Sequence, residues 1–127
     1  MTQRDCDSCN GKRLKPEVLA VTIAEKSISD VCSLSIDEFF AWVVSLKFTK
    51  REEIIAHQVV KEIKARSEFL LNVGLNYLTL SRSANTLSGG EAQRVKLATE
   101  LTKRQTGKTM YILDEPTTGL HFADTEK

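Results

Sequence analysis

Two short clusters in this chain have the residue types and spacing to do chemistry on a phosphate. The first is Ser88-Gly89-Gly90-Glu91. Two glycines let backbone approach a ligand closely, and at a helix start the first-turn amides and the helix dipole point at an anion. The Ser88 hydroxyl adds a donor. The same letters also describe nothing more than a capped helix after a flexible turn. The second cluster is Asp114-Glu115, at the end of the apolar run Met110-Tyr111-Ile112-Leu113 and followed by Pro116. Adjacent carboxylates at a strand end divide two tasks. Asp114 would orient Mg²⁺ or its waters, and Glu115 would activate a water for in-line attack on a phosphoryl group.

A third cluster, Cys6 and Cys9, has the spacing of half a metal site; a structural zinc site wants four ligands. A redox pair without its usual βαβ surroundings and two plain thiols are the competing readings. Cys32 lies far from the pair and reads as a small packed side chain. His57 reads as solvated, and Trp42, between Phe40 and Val43, as packing rather than a base-stacking platform.

These clusters need a scaffold. The 127 residues are 41% hydrophobic and 28% charged, the composition of one ordinary globular domain. With 18 Lys and Arg against 17 Asp and Glu, no global field points to nucleic acid, so any DNA contact is local. No stretch approaches the roughly 20 apolar residues of a membrane span. A cytoplasmic location is expected, and three cysteines in a reducing compartment do not suggest a disulfide framework.

Val18, Leu19, Val21 and Ile23 form a short β-branched run that predicts a strand. Ser35 and Glu38 have capping-box spacing and predict a helix start, with Ile36, Phe39, Phe40, Val43 and Val44 on one face. Thr49 and Glu52 open a second, longer helix whose stripe is Ile55, Val59, Ile63 and Leu70 and whose stop is Gly74. Ser88 and Glu91 open a third. Ala92, Val95, Ala98 and Leu101 form its apolar face, and Lys103, Arg104 and Gly107 close it. The run from Met110 to Leu113 predicts a strand buried in a parallel sheet.

The ordered set Leu87-Ser88-Gly89-Gly90-Glu91, Gln93-Arg94 and Leu113-Asp114-Glu115-Pro116 resembles the signature, Walker B and D-loop sequence of ABC-type ATPases. Further text narrows the resemblance: Cys6-Asp7-Ser8-Cys9-Asn10-Gly11-Lys12-Arg13, Asn72-Val73-Gly74-Leu75-Asn76-Tyr77-Leu78-Thr79-Leu80 and Thr117-Thr118-Gly119-Leu120-His121 are similar to the UvrA family. Residues up to about Ala98 resemble the first of that family's two ABC modules and Lys103 to Lys127 the second, so the chain reads as a mosaic. The Walker A loop is missing. Gly107-Lys108-Thr109 imitates its last three letters, but Thr102 stands where the motif needs glycine. His121 follows Walker B too closely to be a switch histidine.

The resemblance implies an α+β, mainly helical piece of an incomplete ABC-type nucleotide-binding domain. Residues 1–16 would be the end of a partial zinc module, 17–85 a helical signature subdomain, and 86–127 part of the ATPase core. It implies an ATPase that finds damaged DNA in nucleotide excision repair and loads UvrB. Ser88, Gly89, Gly90, Glu91 and Gln93 would act on ATP held by a P-loop-bearing segment or second subunit. Asp114, through water on Mg²⁺, and Glu115 as catalytic base would serve a nucleotide on their own module. Zinc at Cys6 and Cys9 would be half-liganded. Lys12, Arg13 and Lys15, with Lys47, Lys50 and Arg51, are the candidate phosphate contacts on DNA. The alternatives are a non-catalytic module binding UvrB or DNA, and a piece of another ABC ATPase such as a transporter or chromosome-maintenance protein.

Overall fold

The structure is a computed structural model that describes residues 6–101 together with Met110 and Ile112. Its described part is mainly helical, with one small hairpin. The expected closing residues Lys103, Arg104 and Gly107, and most of the Walker B run, lie outside the described residues. Met110 and Ile112 are 85% and 89% exposed and belong to no strand, so at these two positions the expected buried strand is not seen.

Helix α1 covers Pro16–Leu19. Val18 and Leu19 therefore sit in a helical turn and not in the expected strand. Proline at the first helical position explains it, because its fixed φ suits that position and its missing N–H is an orphan there anyway. The strand shrinks to β1, Thr22–Ile23, paired antiparallel with β2, Lys26–Ser27. Ala24 and Glu25 turn the hairpin with φ of 47° and 65°, the left-handed pair a two-residue turn of this kind demands.

Helix α2, Ile28–Ser33, was not anticipated. Its box is Ser27 with Asp30: the carboxylate accepts from the Ser27 N–H at 2.9 Å. Helix α3, Ile36–Ser45, and helix α4, Lys50–Asn72, start at the two expected boxes. The Thr49 N–H reaches Glu52 Oε2 at 2.8 Å. Helix α4 stops as expected at Gly74, whose φ is 73°. The Gly74 N–H bonds Leu71 O at 3.0 Å and the Leu75 N–H bonds Leu70 O at 3.0 Å, the paired closure of a glycine-ended helix.

Two apolar clusters hold these helices. Val31, Phe39 and Val43 are buried with Leu34, Trp42, Val60 and Ile63 packed against them. Trp42 is thus packing, with its ring centroid 6.3 Å from that of Phe39. Ile36, Leu75 and Leu78 form the second cluster, joined by Leu70, Leu71, Val73, Leu87 and Val95. The predicted stripe on α4 is correct only in its second half. Ile55 and Val59 are 72% and 58% exposed, because α3 packs on the side of Val60 and Ile63.

The loop after α4 is stitched to the start of α3. The Ile36 N–H donates to Leu78 O at 2.8 Å and the Ser81 N–H to Cys32 O at 2.9 Å. A 3-10 turn over Ala84–Thr86 then leads into α5, Gly89–Leu101, which packs on α4. Its buried face is the expected apolar one only in part, and the Leu101 side chain lies outside the described residues. Ala98 is buried and Val95 half-buried, but Ala92 is exposed, and the rest of the face is Glu91 and Arg94.

Candidate functional site

The start of α5 gathers Ser88, Gly89, Gly90, Glu91 and Gln93 on one turn of backbone. The Ser88 N–H donates to Glu91 Oε2 at 2.7 Å, and the Glu91 N–H donates to Ser88 Oγ at 3.3 Å. The capping box expected from spacing is therefore formed. It has a consequence for anion binding: the Ser88 amide is already used. The amides of Gly89 and Gly90 are first-turn donors that the helix's own ladder cannot satisfy. A Cβ placed on Gly89 would meet nothing within 4 Å, so the space beside Gly89 is open. Ser88, Gly89 and Gln93 are exposed and Gly90 is half-buried.

Glu91 faces the other way and is 6% exposed. Its Oε1 accepts from the Tyr77 hydroxyl at 2.8 Å, and its Oε2 lies 3.8 Å from Arg82 Nη2. The Ser88 N–H first, and then the Tyr77 hydroxyl, hold the Glu91 carboxyl below its usual range. The same carboxylate pushes the Tyr77 phenol up. Arg94, one turn further on, is 6% exposed, and its Nε and Nη1 make no hydrogen bond among the described residues. Sequence reasoning missed Tyr77, Arg82 and the burial of Arg94. Tyr77 and Glu91 are 14 residues apart, and no local pattern signals the pair.

Asp114 and Glu115, with Thr102, Thr117, Gly119 and His121, lie outside the described residues.

Cys6 and Cys9 sit in one tight turn, where the Asn10 N–H bonds Cys6 O at 2.7 Å. Amides of Ser8 and Cys9 aimed at the Cys6 sulfur pull its thiol down from the usual range, which favours the thiolate a metal or an electrophile would meet. Among the described residues no group of three or more His, Cys, Asp and Glu comes together, so a four-ligand site needs donors from elsewhere. Cys32 is half-buried and lines a cavity with Lys12, Arg13 and Ser81. Lys12, Arg13, Lys15, Lys47, Lys50, Arg51 and His57 are exposed. No described helix is long and apolar enough to cross a membrane.

The described residues thus form a helical scaffold that presents a Ser-Gly-Gly helix start. The family described as ABC transporter matches residues 12–118, and the chain belongs to that family of ATPases. Within it the resemblance is to UvrA. UvrABC system protein A of Treponema pallidum is 54% identical over 127 residues, covering 100% of this chain and 13% of the relative. The protein of that name from Methanothermobacter thermautotrophicus is also 54% identical and that from Clostridium acetobutylicum 49%, with the same coverage. The crystal structure of UvrA2 from Deinococcus radiodurans matches 95% of this chain with a TM-score of 0.79 at 37% identity. The chain spans 16% of that chain's length and 13% of the length of the curated relatives.

Proposed function

We propose that this chain is part of a UvrA-like ABC ATPase that recognises damaged DNA in nucleotide excision repair. The single observation that carries the reading is the helix start at Ser88-Gly89-Gly90, exposed at Ser88 and Gly89, where a Cβ on Gly89 would meet nothing within 4 Å. Ser88, Gly89 and Gly90 close over the γ-phosphate of ATP held on an opposing module, with Gln93 at the same exposed edge. Glu91 supports that turn from beneath. Asp114 would be the residue to hold Mg²⁺, which when bound would supply charge neutralisation on the phosphates, and Glu115 would take the proton of the attacking water. One segment thus serves two ATP sites, and the P-loop comes from another segment or subunit.

In this reading residues 17–85 form the helical signature subdomain and 86–127 part of the ATPase core. Residues 1–16 are the end of a partial zinc module in which Cys6 and Cys9 supply two of the four ligands. UvrB and a damaged duplex are the partners, with Lys12, Arg13 and Lys15, and Lys47, Lys50 and Arg51, as phosphate contacts. Such contacts steepen the salt dependence of binding.

The test is steady-state Mg-ATP turnover of the chain alone and after mixing with a P-loop-bearing UvrA segment, with Glu115→Gln as control. Turnover in the mixture only, abolished by the control, is the expected result. Association without turnover would replace this reading with a non-catalytic module that binds UvrB or DNA.

A further inference from the structure

We propose that Tyr77 is a positioning residue of the Ser88-Gly89-Gly90 turn, acting through the Glu91 carboxylate. The functional weight of this inference rests on the reading of that turn as phosphate-facing; the geometry stands independently of it. At the boxes that open α3 and α4 the acid is exposed, and one oxygen accepts both the N–H and the hydroxyl of its cap, Ser35 at 3.0 and 2.8 Å or Thr49 at 2.8 and 2.7 Å. Exposure leaves the other oxygen there within reach of solvent. Glu91 differs. It is buried, so its second oxygen needs a protein donor, and leaving a buried carboxylate oxygen unpaired is costly. Tyr77 supplies that donor at 2.8 Å.

The ring is not held in place by burial, since Tyr77 is 54% exposed. It is held by its neighbours in sequence. Leu75 is 0% and Leu78 6% exposed in the cluster around Ile36, and Leu78 O is tied to the Ile36 N–H. The path therefore runs from the α3–α4 core through Leu75 and Leu78 to Tyr77, then Glu91, then the Ser88 amide. It adds to the anchoring that Leu87 and Val95 give by packing on the same cluster, and it alone reaches the carboxylate that caps the turn. With it, the two glycine amides have a fixed place relative to the helical scaffold. That fixed place is what donors need in order to meet a phosphate without reorganising. The lowered Glu91 carboxyl and the raised Tyr77 phenol agree with a hydroxyl donating to a carboxylate.

Tyr77→Phe in the full chain tests the idea, because it keeps the ring and removes only the donor. Amide hydrogen exchange is read at Ser88 and, as reference, at Phe39 in α3, and the Glu91 side chain is titrated by NMR. We expect exchange at Ser88 to quicken about tenfold with Phe39 unchanged, and the Glu91 midpoint to move up. A Ser88 rate that does not change, a rise shared equally by Phe39, or an unmoved Glu91 midpoint overturns the proposal. In the mixture with the P-loop-bearing segment, kcat falls about tenfold while KM for ATP holds; a change in KM alone overturns it. A wild-type mixture with no turnover removes the phosphate-facing reading, and the exchange and titration arms still decide the role of Tyr77.

Discussion

The guanidinium of Arg82 stands 3.8 Å from the same Glu91 oxygen that the Ser88 amide occupies at 2.7 Å. Arg82 also donates to Thr86 O at 3.0 Å, bracing the 3-10 turn that delivers the chain to α5. The ion pair is long and Arg82 is partly exposed, so charge attraction contributes little here. The backbone brace is the larger role, and the carboxylate is held chiefly by hydrogen bonds.

Acid should therefore act on the helix starts. Asp30, Glu38, Glu52 and Glu91 all lie below their usual range, each held down first by the serine or threonine of its own box. Asp37 is lowered first by the Ser35 hydroxyl. Because the folded values are depressed, the unfolded chain takes up protons first as pH falls. The stabilisation is complete above the unfolded carboxylate value of about 4.3, and it is lost as pH drops through the lower folded values. Thermal unfolding followed by far-UV circular dichroism from neutral pH to about pH 3 should show the midpoint flat at first and then falling. A midpoint that rises below about pH 4 would contradict the assignment.

Leu75→Ala removes the one large side chain that is fully enclosed among the described residues. It packs with Ile36 and Leu78, with Leu70, Leu71, Val73, Leu87 and Val95 against them, so the truncation removes contacts to several elements at once. We expect a loss of about 3 kcal/mol in urea unfolding.

Glu25→Gly should stabilise. A residue with a side chain held at φ 65° carries a cost of about 1–2 kcal/mol that glycine does not, offset by about 0.5–1 kcal/mol of extra freedom in the unfolded chain. The net gain of roughly 0.5–1 kcal/mol is read from the same urea titration.

Ile55→Gln should be nearly silent, within about 0.5 kcal/mol, since the side chain is 72% exposed. Val43→Ala, at a position 3% exposed, should cost about 2 kcal/mol in parallel. Equal effects at the two sites would show that α3 packs on the other face of α4.

What was legible in the sequence was what is local. Ser35 with Glu38, Thr49 with Glu52 and Ser88 with Glu91 are each three residues apart, so both partners of a cap fall within one reading window. Gly74 announced the end of α4 in the same way. Ser27 with Asp30 was passed over because the shorter acid does the work usually signalled by Glu or Gln. Pro16 marks a helix start, a signal that the β-branched run just beyond it obscures. The phase of α4 was not readable, because Ile54, Ile55, Val59, Val60 and Ile63 offer two apolar faces, and only the position of α3 selects between them. The support of the signature turn was hidden for the same reason: Tyr77 meets Glu91 only after the loop folds back on Ile36.

Helix α4 has 23 residues, a rod of about 35 Å, and its two halves live differently. From Val60 onward it is clamped by α3 and α5, while the half that begins at Lys50 has water on nearly every side. The outer half thus relies on its own backbone ladder and on the Thr49 box, and fraying should enter at Lys50 and run inward. The rod is firmly fixed at the end that meets the signature helix and loosely held at the other, like a branch clamped at its base.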